Sequence, residues 1–172
     1  MPKQTTVYLG LGSNMWQPRQ NLQQAVGLLS QKVTILAISP LYDTAPVGNK
    51  NQSRFLNAVC KGKTSLSPEG LLSFVKGIEK DMGRLTAPPN SPRPIDIDIL
   101  FYSRQVISNK ELKIPHPRLV ERAFVLVPLA DIAPGLRHPV LHRTIKKLLQ
   151  QLPRTSGDVV PAKQEDLCLK YP

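Results

Sequence analysis

The sequence predicts an α+β fold, a mainly antiparallel sheet with two helices packed on one face, and three observations support it. β-branched and apolar segments alternate with helical-period segments in the order β-α-β-β-α-β. The second and third strand segments are joined by a loop long enough for a hairpin return. The chain of 172 residues, 41% of them apolar, is sized for one core. That element order belongs to the split βαβ, ferredoxin-like sandwich.

Thr5 to Leu11 is β-branched and apolar and stops at Gly12-Ser13-Asn14, which reads as a strand and a turn. From Pro18, Leu22, Ala25, Val26, Leu28 and Leu29 recur at helical spacing, with the proline placed acceptably near a helix start. Val33 to Leu41 is again β-rich, Tyr42 to Arg54 is a loop, and Phe55 to Lys63 is the returning strand. Ser67-Pro68-Glu69 supplies an N-cap, a first-position proline and a first-turn acid. Leu71, Leu72, Val75, Ile78 and Met82 then form an apolar stripe that ends at Gly83. Arg84 to Pro94 holds four prolines and no apolar period, which predicts a mobile loop before the strand Ile95 to Tyr102. Ala123 to Ala133 and Arg143 to Leu152 predict extra C-terminal helices, and the polar stretch after them a tail. The expected organisation is therefore a domain over 1–152 and a tail over 153–172.

No apolar run is long enough for a membrane span, and the start passes almost at once into a strand, which argues against a secretory signal. Cys60 and Cys168 lie far apart without metal or redox spacing, so a reducing, cytoplasmic setting is expected. The net charge of +11 calls for an anionic partner. Its basic residues are dispersed, with Lys146-Lys147 the only adjacent pair, and aromatics are 5% of the chain. Nucleic acid and membrane surface are thereby disfavoured, and a phosphate-bearing small molecule remains.

The segment Arg93-Pro94-Ile95-Asp96-Ile97-Asp98-Ile99 carries the chemistry. On a strand, Asp96 and Asp98 share one face while Ile95, Ile97 and Ile99 enter the core. Two carboxylates side by side suit Mg²⁺, which takes oxygen ligands, and Arg84 and Arg93 at the ends of the proline-rich loop suit a polyphosphate. A solvent-facing strand edge that merely alternates is the other reading of the same pattern. There is no Walker P-loop, no GxGxxG and no GxSxG, so neither a Rossmann site nor nucleophilic catalysis is indicated. His138 and His142 stand four apart, but Pro139 between them disfavours a helix that would align them on zinc.

Several short pieces combine into a resemblance. Leu11-Gly12-Ser13-Asn14, Tyr42-Asp43-Thr44-Ala45-Pro46-Val47-Gly48, Phe55-Leu56-Asn57-Ala58, Ile78-Glu79, Gly83-Arg84, the Asp96–Asp98 segment, Ile114-Pro115-His116-Pro117-Arg118 and Arg122-Ala123-Phe124 follow one another in an order and spacing that resembles the 6-hydroxymethyl-7,8-dihydropterin pyrophosphokinase family, from about Thr6 to Leu152. The resemblance implies the same ferredoxin-like fold. It also implies transfer of the β,γ-diphosphate of ATP to the hydroxymethyl group of the pterin, with release of AMP, in folate biosynthesis. It assigns two Mg²⁺ ions to Asp96 and Asp98, and places these two with Arg84 and Arg93 at the catalytic centre. Gly12, Thr44, Ala45, Val47, Phe55, Asn57 and Phe124 would form the pterin slot. Glu79, Arg84, Arg93, Ile99, His116 and Arg122, with Lys76 and Arg118 beside them, would bind ATP. Read without the family, Lys76 and Glu79 are the solvated face of a helix, and plain core packing is as good a reading of the two phenylalanines as a binding slot. A monomer is expected from the family alone.

The chain departs from the family pattern in the loop after the second helix. Thr86 stands where an arginine is common, Asn90 where a tryptophan is common, and Ser91 and Pro117 replace a usual glycine and an aromatic residue. Two other readings therefore stand beside the enzyme at this point. One is a nucleic-acid-binding ferredoxin-like module, which the missing RNP-like aromatics on the central strands disfavour; the other is a relative that binds its ligands but transfers poorly.

Overall fold

The computed structural model describes residues 2–84, 88–153, 158–163 and 168–172. In chain order the elements are β1 (Thr5–Ser13), α1 (Pro18–Leu29), β2 (Val33–Ile38), β3 (Tyr42–Thr44), β4 (Phe55–Thr64), α2 (Pro68–Asp81), β5 (Asp96–Tyr102), β6 (Ile107–Ser108), β7 (Lys113–Ile114), a 3-10 turn (Leu119–Glu121), α3 (Ala123–Ile132), α4 (Ile145–Gln150) and β8 (Val159–Pro161). The main sheet runs β5-β1-β4-β3-β8, with β2 also paired to β4, and every pairing is antiparallel. The predicted βαββαβ frame is present as β1, α1, β2, β4, α2 and β5, and the fold is the α+β class expected.

Local chemistry sets the element ends. Ser67 Oγ accepts the Gly70 N–H at 3.0 Å, Pro68 opens α2, and the helix stops before Gly83, whose φ of 93° suits a residue without a side chain. The strand expected over Val33 to Leu41 is instead broken after Ile38. Ser39 donates its N–H to Val59 O and accepts the Val59 N–H on Oγ, both at 2.9 Å, while Pro40 has no N–H to continue a ladder. The chain resumes pairing as β3, so the expected loop Tyr42 to Arg54 begins with three residues of strand.

The two helices expected on one face, α1 and α2, lie there, and the extra C-terminal helices α3 and α4 cover the opposite face. Leu9, Leu11, Ile97 and Ile99 pack with Leu22, Leu29, Leu71 and Val75 under α1 and α2. Tyr8, Val59, Leu100 and Phe101 pack with Leu126, Leu129, Ile145 and Leu148 under α3 and α4. A register irregularity at Tyr8/Leu9 accompanies the switch that lets Leu100 and Phe101 enter the same second core. Residues beyond Leu152 were expected as a tail. Val159–Pro161 instead pairs with β3, and Leu169 is buried in the core beneath α1 and α2. A three-residue strand containing proline carries too little period to be seen in advance. Among the described residues, no helix is long and apolar enough to cross a membrane.

Candidate active site

Cross-strand register brings distant residues together. Gly12 faces Asp96 of β5 on one side and Asn57 of β4 on the other, and Gly10 likewise faces Asp98 and Val59. Because side chains alternate, Asp96, Asp98, Gly10, Gly12, Phe55 and Asn57 all open to the face that α3 covers further along. The two glycines leave the floor low. A Cβ on Gly12 would come within 2.5 Å of Asn57 Oδ1, whereas the Asn57 amide donates to Thr44 Oγ1 at 2.6 Å.

Over this floor lies a narrow cavity of about 60 Å³, lined by Gly12, Thr44, Ala45, Val47, Phe55, Asn57, Asn90, Arg93, Asp96, Arg122 and Phe124. All seven residues expected at the slot are thus brought together, beside an aspartate and two arginines expected of the phosphate site. The Arg93 guanidinium sits 5.1 Å from the centre of the Phe55 ring and that of Arg122 5.4 Å from the Phe124 ring. Each phenylalanine therefore has one face toward a cation and lines the cavity.

Around the carboxylates the charges interlock. Arg84 Nη1 bonds Asp96 Oδ1 at 2.7 Å and also Glu79 Oε2, while Arg93 Nε lies 3.5 Å from Asp96 Oδ2. Burial pushes the Asp96 carboxyl up, but Arg93 and Arg84 outweigh it and hold the group below the usual range. Asp98 is paired more loosely, with Arg122 Nη1 at 3.8 Å and the Lys76 charge acting from further away. Burial and then the neighbouring Asp96 charge push Asp98 up to about 6. The pair is short of positive charge on the Asp98 side. Glu79 is 2% exposed, so it is no solvated helix face: it pairs with Lys76 Nζ at 3.0 Å and accepts the Ile97 N–H at 3.1 Å, tying α2 to β5.

The remaining expected residues stand in different relations to the cavity. His116 is half-buried; its Nδ1 accepts the Arg118 N–H at 3.2 Å, which leaves the neutral ring's proton on Nε2. Burial, followed by the Arg122 charge, pushes this imidazole down to about 4. Arg118 lines an outer cavity with Arg122 and Phe124, and Lys76 is exposed on α2. The Ile99 side chain points into the core under α1 and α2, away from the face that carries Asp96 and Asp98. His138 Nδ1 accepts the Val140 and Leu141 N–H groups and closes a turn.

Some contributors were given no place in the site from the sequence. Asn14 is buried, accepts the Arg93 N–H at 2.9 Å and donates to Gln52 Oε1 at 2.8 Å and Ser53 O at 3.1 Å, so one amide pins the loops on both sides of the cavity. Asn90 lines the cavity at a φ of 63°, and its carbonyl accepts from Gln52 Nε2 at 2.7 Å. Both stood in plain view within the quoted motifs, but a lone Asn has no period to mark it. The single tryptophan, Trp16, stands 69% exposed near Gly83. Thr86 lies outside the described residues.

Paired aspartates, converging arginines and an adjoining narrow cavity thus meet on one face of a ferredoxin-like sheet. Comparison with known proteins supplies the family. The chain belongs to the 7,8-dihydro-6-hydroxymethylpterin-pyrophosphokinase (HPPK) family, whose model matches residues 8–134. It is similar to the 2-amino-4-hydroxy-6-hydroxymethyldihydropteridine pyrophosphokinase of Aquifex aeolicus, 44% identical over 83% of this chain and 89% of that protein. It is equally similar to the folic acid synthesis protein FOL1 of Dictyostelium discoideum, 44% identical over 86% of this chain, and there it spans only 22% of the relative's length. The fold is shared with the Plasmodium falciparum wild-type HPPK-DHPS crystal structure, with a TM-score of 0.70 at 21% identity, over 87% of this chain and 45% of that one.

Proposed function

We propose that the chain transfers the β,γ-diphosphate of ATP to the hydroxymethyl oxygen of 6-hydroxymethyl-7,8-dihydropterin, releasing AMP, as a step of folate biosynthesis. The observation that carries this reading is the contiguity of the slot formed by Phe55, Asn57, Phe124 and Thr44 with Asp96 and the arginines Arg93 and Arg122. Family membership and the names of the relatives of similar length support it.

In this reading Phe55 and Phe124 hold the flat ring, and Asn57, fixed by Thr44, presents its Oδ1 to the ring's donor edge. The oxygen-only donor pair Asp96 and Asp98 fits Mg²⁺, and the surplus negative charge that raises Asp98 is what a cation relieves. Among the described residues no group of three or more His, Cys, Asp or Glu could hold a metal. Asp96 and Asp98 would hold the two ions, which when bound would supply charge neutralisation at the transferred phosphates.

Arg84, Arg93 and Arg122 add fixed positive charge where negative charge accumulates on the phosphates, and Arg118 and Lys76 extend that field outward. His116, neutral at physiological pH, offers its Nε2–H as a donor without adding charge. The reaction forms a bond from the pterin oxygen to the β-phosphorus and breaks the bond to AMP. Positioning and electrostatics do this work, which matches a site without a nucleophilic side chain. Glu79 acts beneath the surface by holding Arg84 and Lys76. A cytoplasmic monomer completes the proposal; Cys60 and Cys168 are both free thiols.

The test is AMP release from ATP by purified protein, with controls lacking pterin or Mg²⁺. The expected result is AMP formation that needs both, abolished by Asp96→Ala or Asp98→Ala. Detectable pterin and ATP binding without AMP would indicate a disabled relative, and binding of neither would overturn the assignment.

A further inference from the structure

We propose that residues 158–163, outside the family-matched residues, form a strap that sets the rim of the slot, with Val159 and Val160 as positioning residues for the pterin; this rests on the slot being the pterin site. β3 carries Thr44 at the cavity wall and leads straight into Ala45. Its first residue is tied to α3 by the Tyr42 hydroxyl bond to Asp131. At the other end, β3 meets β8, with Thr44 opposite Val159 and Asp43 opposite Val160.

The Ala45 N–H donates to Asp158 O at 2.8 Å, and the Ala162 N–H donates to Leu41 O at 3.0 Å. Antiparallel ladders alternate bonded and non-bonded pairs, so Asp43 and Val160, midway between those two, form the third bonded pair. Pro161 falls opposite Tyr42 at a non-bonded position, where a missing N–H costs nothing. Further along the chain, residues 168–170 are held on α1: Arg19 Nη2 donates to Cys168 O at 2.9 Å, Gln23 Nε2 to Lys170 O at 2.6 Å, and Leu169 is buried.

The consequence concerns one substrate. Thr44 Oγ1 is the acceptor that orients the Asn57 amide, so a shift of the Thr44–Ala45 end turns the group proposed to read the ring. Asp158 and Val159 also wall a cavity of about 490 Å³ that shares Ala45, Val47, Arg122 and Phe124 with the slot. Asp96 and Asp98 stand on β5, which pairs with β1, and β8 pairs with β3 at the far end of the sheet. Without β8, β3 keeps β4 as its strand partner and the Tyr42 tie to α3 at its first residue, and ordering its far end falls to the ligand.

Val160→Pro removes the central N–H, Ala162→Pro removes the next, and Val160→Ile keeps both. Hydrogen exchange at the Ala45 amide and steady-state kinetics are measured on all three. The expected result is faster Ala45 exchange in both proline variants with pterin KM raised roughly tenfold. ATP KM and kcat are expected to stay within about twofold, and Val160→Ile to match the parent. An Ala45 amide that stays protected, or one that is exposed while pterin KM is unchanged, would overturn the proposal; so would equal losses for both substrates. If the parent protein binds no pterin, the proposed function fails, and the exchange arm still decides whether β8 holds the rim.

Discussion

At Gly12 a single methyl group decides whether the slot keeps its shape. The Cβ of Gly12→Ala would collide with Asn57 Oδ1 and drive the amide off Thr44. Pterin affinity is expected to fall at least about tenfold, the loss of one buried, oriented hydrogen-bonding group; a titration that finds it unchanged would remove Asn57 from the ring-reading role. Asp98 makes a different prediction. Burial and the Asp96 charge push its carboxyl from an ordinary 3.8 up to about 6, so the folded state binds a proton more tightly and stability falls as pH rises from about 4 to 6. Asp98→Asn is therefore expected to raise the melting temperature of the metal-free protein at neutral pH, with the gain shrinking to nothing below about pH 4. Melts across that range check both sign and window. Glu79 is buried among a guanidinium, an ammonium and a peptide N–H, and Glu79→Ala would leave the Ile97 N–H and Arg84 without it. A loss of about 2–4 kcal/mol in urea unfolding is expected; a loss near zero would mean that α2 and β5 are held together by apolar contacts alone.

Elements with a strong period were legible before the structure, and those without one were not. α2 announces itself through Ser67, Pro68 and its stripe, and Ser67→Ala is expected to cost about 1 kcal/mol by the same capping logic, measured by denaturant unfolding. The strict alternation of Ile97, Asp98 and Ile99 placed both aspartates on one face, because the period of a strand is geometric. β3 and β8 escaped notice because three residues make too short a sample of any period, and Pro161 masks one of them. The break at Ser39-Pro40 is a tertiary effect, set by Val59 on a strand some twenty positions away. Side-chain burial was misjudged at Glu79 for a related reason: a carboxylate on a helix face looks solvated until the arginine across from it is known.

For the whole molecule, composition spoke to the partner and register to the site. The convergence of Gly12, Asn57 and Asp96 depends on three strands meeting in one row, which no local pattern states; the order of motifs made it legible through a family, and the antiparallel register explains it. The net charge of +11 is spread over the surface and is expected to steer ATP more than an uncharged pterin. Raising ionic strength is therefore expected to increase ATP KM several-fold with pterin KM changed less than about twofold; equal changes would place the steering charge elsewhere. The central claim is attack on the β-phosphorus of ATP. Phosphorus NMR of one reaction mixture tests it most directly: AMP and a pterin diphosphate ester appearing in equal amounts is the predicted result, and ADP with a pterin monophosphate would contradict it.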